Sequence, residues 1–239
     1  MVFLALTIVT QIGGVAWVMS RLMKYKLAAF LGIYTGLTVM TLYVAPIFCR
    51  QAIACGSDGA LQVQSWFYCI TNRTYVSPEL AGVLEDLARE MDEKHPGTVT
   101  LVLDGNFPFL DGFPLLPHLS HDDGEKVDLA FFYKDETGYL PGKARSPIGY
   151  FAFEQGPTQC PKAWPTLRWD FESIQPLWAD FGLEEARNRS VLEVLVDDPR
   201  VAKILIEPHV VDRLGVQAPK IRFQGCRAAR HDDHINIQL

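Results

Sequence analysis

Two uncharged apolar runs open the chain, and they leave few folds available to its first fifty residues. Residues 1 to 20 contain no Asp, Glu, Lys or Arg, and Leu27 to Cys49 is a second such run. Each is about long enough to cross a hydrocarbon core as a helix. Arg21, Lys24 and Lys26 lie between them, and a short basic loop of this kind stays in the cytoplasm. The pattern predicts a two-helix transmembrane hairpin over residues 1–49. It also predicts an extracytoplasmic part over residues 50–239, periplasmic or at the cell surface. A cleaved signal would call for an early basic residue, and Met1-Val2-Phe3-Leu4 offers none. Gly32 and Gly36 have the spacing that lets two membrane helices pack closely.

Charge and cysteines narrow the outer part further. All 28 acidic side chains follow residue 50, against 18 basic ones there, for a formal charge of −10. A nucleic-acid surface needs clustered positive charge, so no nucleic-acid partner is expected. Cys55, Cys69, Cys160 and Cys226 lie in this part, and four cysteines allow three pairings. Disulfides suit an oxidising compartment.

Periodicity sets out the order of elements. Ser77 to Met91 reads as a helix: Ser77 caps it, Pro78 suits its first turn, and Leu80, Val83, Leu84, Leu87 and Met91 form one apolar stripe. Strands are predicted at Thr98–Leu103, Val127–Tyr133, Ile148–Phe153, Lys203–Ile206 and Ile235–Leu239. A loop from Asp104 to Ser120 carries aromatic and His residues that line a groove or simply pack. Gly156 to Pro165 reads as loop. Arg168 to Asp180 places Trp169, Phe171, Ile174, Leu177 and Trp178 at helical spacing, as core. Leu183 to Leu195 is helical. No phosphate loop follows a strand, so a nucleotide-binding α/β fold is not expected. The fold class is α+β, a mainly antiparallel central sheet with flanking helices.

The chemistry lies in two distant segments. The first is Ser120-His121-Asp122-Asp123-Gly124-Glu125-Lys126-Val127-Asp128, and the second is His231-Asp232-Asp233-His234-Ile235-Asn236. Imidazole nitrogen and carboxylate oxygen are ordinary zinc ligands. Asp128 stands on a predicted strand. His234 and Asn236 are two apart on another and share a face. An antiparallel sheet can bring the two strands side by side.

Ser-His-x-x-Gly-x-x-x-Asp with a distant His-x-x-His-x-Asn resembles the penicillin-insensitive murein endopeptidases, zinc enzymes of the lysostaphin and D-Ala-D-Ala peptidase group. The likeness extends over roughly residues 100 to 239 and includes Val201 to Val210 and Arg213-Leu214-Gly215, similar to the strand and short helix before that family's last motif. It implies Zn2+ as cofactor and peptide cross-links of peptidoglycan as substrate. It implies His121 and Asp128 as metal ligands, His234 as the catalytic His and His231 as its active-site neighbour. Asn236 takes the position of the third ligand, where the family has His. A neutral amide oxygen binds zinc less well than imidazole, so the resemblance implies either a weakened peptidase or a peptidoglycan-binding module. A membrane-anchored assembly protein is the alternative in which the His residues are incidental.

Overall fold

The apolar N-terminus does not form two spanning helices. The computed structural model describes residues 1–161 and 165–239 and breaks the first run into α1 (Val2–Thr10) and α2 (Gly13–Ser20). Helices this short reach only about 12–14 Å, well under the ~30 Å hydrocarbon core. The break has a local cause. Gln11 adopts a φ of 63°, and the Thr10 hydroxyl accepts a hydrogen bond from Gly13 N at 2.8 Å. The chain turns back so tightly that a Cβ on Gly14 would lie 2.0 Å from Thr7 Oγ1. The second run does form a long helix, α3 (Lys26–Val44), extended by a 3-10 turn through Phe48. Among the described residues, one helical stretch, Lys26–Phe48, is long and apolar enough to cross a membrane. Gly32 and Gly36 meet no neighbour within 4 Å, so they lie on an open face and do not join two helices. The predicted hairpin is therefore corrected to one long helix preceded by two short ones.

The rest of the chain is mixed α/β. In order it contains β1 (Gln51–Ala52), β2 (Leu61–Val63), α4 (Trp66–Ile70), β3 (Tyr75–Val76), α5 (Pro78–Lys94), β4 (Thr100–Val102), β5 (Lys126–Ala130), β6 (Tyr133–Asp135), β7 (Gly138–Tyr139), β8 (Gly182–Leu183), α6 (Glu185–Asp197), β9 (Lys203–Leu205), α7 (Pro208–Leu214), β10 (Ile221–Arg222) and β11 (His234–Gln238). The central sheet runs β10-β9-β11-β5-β4-β2. Its inner pairs are antiparallel and its two outer pairs parallel. Two small sheets, β1-β3 and β7-β6-β8, flank it.

The sheet has a dry face and a polar face, and sequence alternation decides which side chain goes where. Ile235 and Ile237 of β11 pair with Leu129 and Val127 of β5. These four join the α5 stripe and Val191, Leu192 and Leu195 of α6 in one buried core. Ser77 caps α5 by accepting from Leu80 N at 3.2 Å, and His95 ends it. On the opposite face, His234 stands across from Ala130 and Asn236 across from Asp128.

Three predicted elements differ. The run from Val127 to Tyr133 is two strands in two sheets, because the Asn188 side chain takes up the backbone of Phe132: Phe132 N donates to its oxygen at 3.1 Å and Phe132 O accepts from its nitrogen at 2.8 Å. The run from Ile148 to Phe153 is not a strand. Gly149 and Phe151 have positive φ, and side chains satisfy the backbone: Phe151 N donates to Asp233 Oδ2, and Phe151 O accepts from Gln175 and Trp178. Arg168 to Asp180 holds only a 3-10 turn (Gln175–Leu177), with Trp169 44% and Leu177 73% exposed, so it is surface and not core. Of the loop predicted from Gly156 to Pro165, residues 162–164 lie outside the described residues. The cysteines pair Cys55–Cys69 and Cys160–Cys226, and Cys49 is free.

Candidate metal centre

Asp128 is the hub. It sits in the middle of β5, fully buried, and β11 presents His234 and Asn236 to it across the sheet. The loop before β5 adds two more imidazoles. His121 N donates to His118 O at 2.9 Å, a turn that brings both rings inward. Arg73 secures that loop from beneath, binding the Asp104 carboxylate with two nitrogens, at 2.5 and 2.7 Å, and Leu116 O at 2.8 Å. His231, in the approach to β11, packs its ring 4.8 Å from that of His234.

Each carboxylate oxygen of Asp128 has its own neighbours. Oδ2 lies 2.5 Å from His118 Nδ1 and accepts from the Tyr150 hydroxyl at 2.6 Å. Oδ1 accepts from Asn236 Nδ2 at 2.8 Å and stands 3.5 Å from His121 Nε2 and 3.6 Å from His234 Nε2. All five residues singled out in the sequence, His121, Asp128, His231, His234 and Asn236, therefore converge on one buried cluster. His118, Tyr150 and Asp233 were not foreseen. The His118-x-x-His121 spacing repeats that of His231-x-x-His234, and this was the signal available for the first of them.

Asn236 does not turn its oxygen towards the cluster. Its Nδ2 lies 2.8 Å from both His121 Nε2 and Asp128 Oδ1, and its Oδ1 accepts from Gln238 Nε2 at 2.9 Å. An ionised carboxylate can only accept, so the amide N–H groups must point this way. The bond to His121 then lands on a ring-nitrogen lone pair. The other nitrogen of that ring, Nδ1, donates to Gly105 O at 2.9 Å. Burial opposes a charge on His121 and Asp128 favours it, with a net upward shift.

His234 is arranged differently. Its Nδ1 is 2.5 Å from Asp233 Oδ1, while its Nε2 is buried and has no hydrogen-bond partner. A metal-binding imidazole is commonly oriented in this way, with one nitrogen tied to a carboxylate and the other free. The Nε2 faces Asp128. Ring nitrogens of His118 and His234 and an oxygen of Asp128 lie within 4.8 Å of one another, and this group can hold a metal ion. Two imidazoles and one carboxylate match the usual zinc donor types.

Charge is concentrated at this point. Burial opposes ionisation of Asp128, but His121, His118 and His234 hold its carboxyl well below the usual range. Burial also opposes a charge on His234, yet Asp128 and Asp233 raise it to about 9. Burial, and then the charge on His234, push His231 well below the ordinary imidazole value. Burial, with Asp104 and Asp128 nearby, raises the Tyr150 phenol well above its ordinary value.

Two hollows border it. One of ≈ 30 Å³ is lined by Phe151, Trp169, Asp233 and His234 among others; another of ≈ 160 Å³ is lined by Ser120, Gln224, His231 and Asn236 among others. They share Pro117, His118, Leu167 and Ala229. A larger cleft of ≈ 570 Å³ adjoins the first through Phe153 and Arg230. Compared with known families and with curated proteins, the chain matches no family model and no curated protein.

Proposed function

We propose that the globular part is a membrane-held zinc peptidase-like domain directed at peptide cross-links of peptidoglycan. In this reading His118, Asp128 and His234 hold the ion. One observation carries it: a buried, unpartnered His234 Nε2, oriented through Nδ1 by Asp233 and facing Asp128. The substrate class rests on the resemblance of the two motifs. Bound zinc would lower the pKa of a water and polarise a carbonyl. Tyr150 keeps its proton and orients Asp128. His231 stays neutral beside His234, because burial and the neighbouring charge oppose its protonation. Asn236 ties His121 to Asp128 and keeps that side of the carboxylate occupied. This last contact favours a second reading, in which the groove binds peptidoglycan and hydrolysis is lost.

Calorimetric zinc titration of single alanine variants tests the ligand set. His118→Ala and His234→Ala should each lose stoichiometric zinc, while His121→Ala should keep affinity within about tenfold, the lower range for a supporting residue. If His121→Ala abolishes binding and His118→Ala does not, the ligands are those that the resemblance implies. Chromatography of digested muropeptides separates the two functional readings: zinc-dependent products support the peptidase, and binding without products supports the module.

Zinc binding should also depend on pH in a stated direction. His234 titrates at about 9 in the metal-free site, so at neutral pH it carries a proton that a metal must displace. Affinity should rise roughly tenfold per pH unit towards 9, with one proton released per ion, and then level off. A flat profile from pH 7 to about 9 would remove His234 from the ligand set.

A further inference from the structure

We infer that α4 is a second membrane-inserted element, so that the globular part sits partly sunk in the bilayer and does not stand clear of it. The inference rests on the reading of α3 as the membrane helix, and it starts from two polar contacts that α3 makes along its length. Tyr34 OH donates to Ile70 O at 2.5 Å and accepts from Asn72 Nδ2 at 3.1 Å. Seven residues on, the Thr41 and Tyr75 hydroxyls bond to each other.

Position along the helix gives these contacts their meaning. At 1.5 Å per residue, Tyr34 lies about 12 Å from the Lys26 end of the helical stretch and about 21 Å from the Phe48 end. A helix that crosses a ~30 Å core therefore carries Tyr34 inside the hydrocarbon, whichever end faces out. Ile70 and Asn72 are bonded to it and go with it. The surface at that level is suited to lipid. Trp66, Phe67 and Ile70 on α4 are 67%, 40% and 60% exposed, an apolar face next to a helix that is half-buried along one stripe and exposed over the rest. The polar groups beside it are internally satisfied: Asn72 and Arg73 are buried, and Arg73 is paired with Asp104. Arg21, Lys24 and Lys26 are exposed near the start of α3, where they can meet anionic headgroups.

Brominated-lipid quenching tests this on the full-length protein in phosphatidylcholine–phosphatidylglycerol vesicles. Wild type and Trp66→Phe are compared, and the difference in emission isolates Trp66. That component should be quenched by bromines on the acyl chains and protected from aqueous acrylamide, with more than half of its intensity lost to the lipid quencher. Acrylamide quenching without bromolipid quenching would place α4 in water and overturn the inference while leaving the anchor intact. Failure of the wild type to float with the vesicles would overturn the anchor reading itself.

Discussion

Replacing Asn236 with histidine should raise zinc affinity by on the order of 100-fold, the upper end of what changes around a metal ligand produce. In the present chain the Asn236 amide donates to both His121 and Asp128. Its nitrogen fills the space between them, beside the group of His118, Asp128 and His234. An imidazole at this position offers a lone pair instead of two N–H donors, so three acceptors would face one point. Only a proton or a metal ion satisfies that arrangement. The variant should therefore melt at a lower temperature than wild type in chelator and at a higher one in zinc. Muropeptide hydrolysis should appear or rise with the metal, and adding His121→Ala should remove both gains. Equal zinc affinity in the Asn and His forms would show that position 236 is not a ligand position.

Asp128→Asn should be the most damaging single change to the cluster. It removes the charge that His118, His121 and His234 surround in a fully buried site. Breaking one side of a buried ionic group costs about 3–5 kcal/mol, roughly 10 °C in melting temperature for a part of this size. Zinc binding should be lost at the same time. The pH dependence of metal-free stability follows the same groups. The lowered pKa of Asp128 gives stability that is present above its unfolded value of ~3.9 and lost as pH falls. The raised pKa of His234 gives stability complete below its ordinary value of 6.5 and lost as pH rises through about 9. Thermal melts in chelator should fall off on both sides, and Asp128→Asn should flatten both limbs. A melting temperature within about 2 °C of wild type, less than 1 kcal/mol for this size, would show that the charge cluster does not support the fold.

The sequence was legible where one local rule governed a segment. The α5 stripe and its Ser77 cap needed only helical spacing. β5 and β11 needed only alternation, and that alternation places His234 and Asn236 together on the side of the sheet where Asp128 stands. What was not legible depended on distant side chains. Nothing near Phe132 announces that Asn188 will capture its backbone. Nothing near Phe151 announces Asp233, Gln175 and Trp178. The aromatic residues from Trp169 to Trp178 keep helical spacing, but their segment is an irregular cover over the cleft, so periodicity misassigned them to the core. In the N-terminus, composition gave the apolar character of both runs, yet one positive φ at Gln11 turned the first of them into two short helices. Asp233 is adjacent to His234 in sequence, but its role is visible only once the ring is in place.

The position of β11 has a consequence for how the molecule forms. It lies between β5 and β9 in space but follows both in the chain. Until it arrives, β5 and β9 have no strand between them and each presents an unpaired edge to other chains. A shortened polypeptide that stops before His231 would keep α5, α6 and their apolar residues, yet it would lack the strand that joins the two halves of the sheet. It would also lack every donor that β11 supplies. The hydrophobic core and the His/Asp cluster are thus both incomplete without this one strand, and a product that lacks it exposes strand edges that make it prone to aggregate.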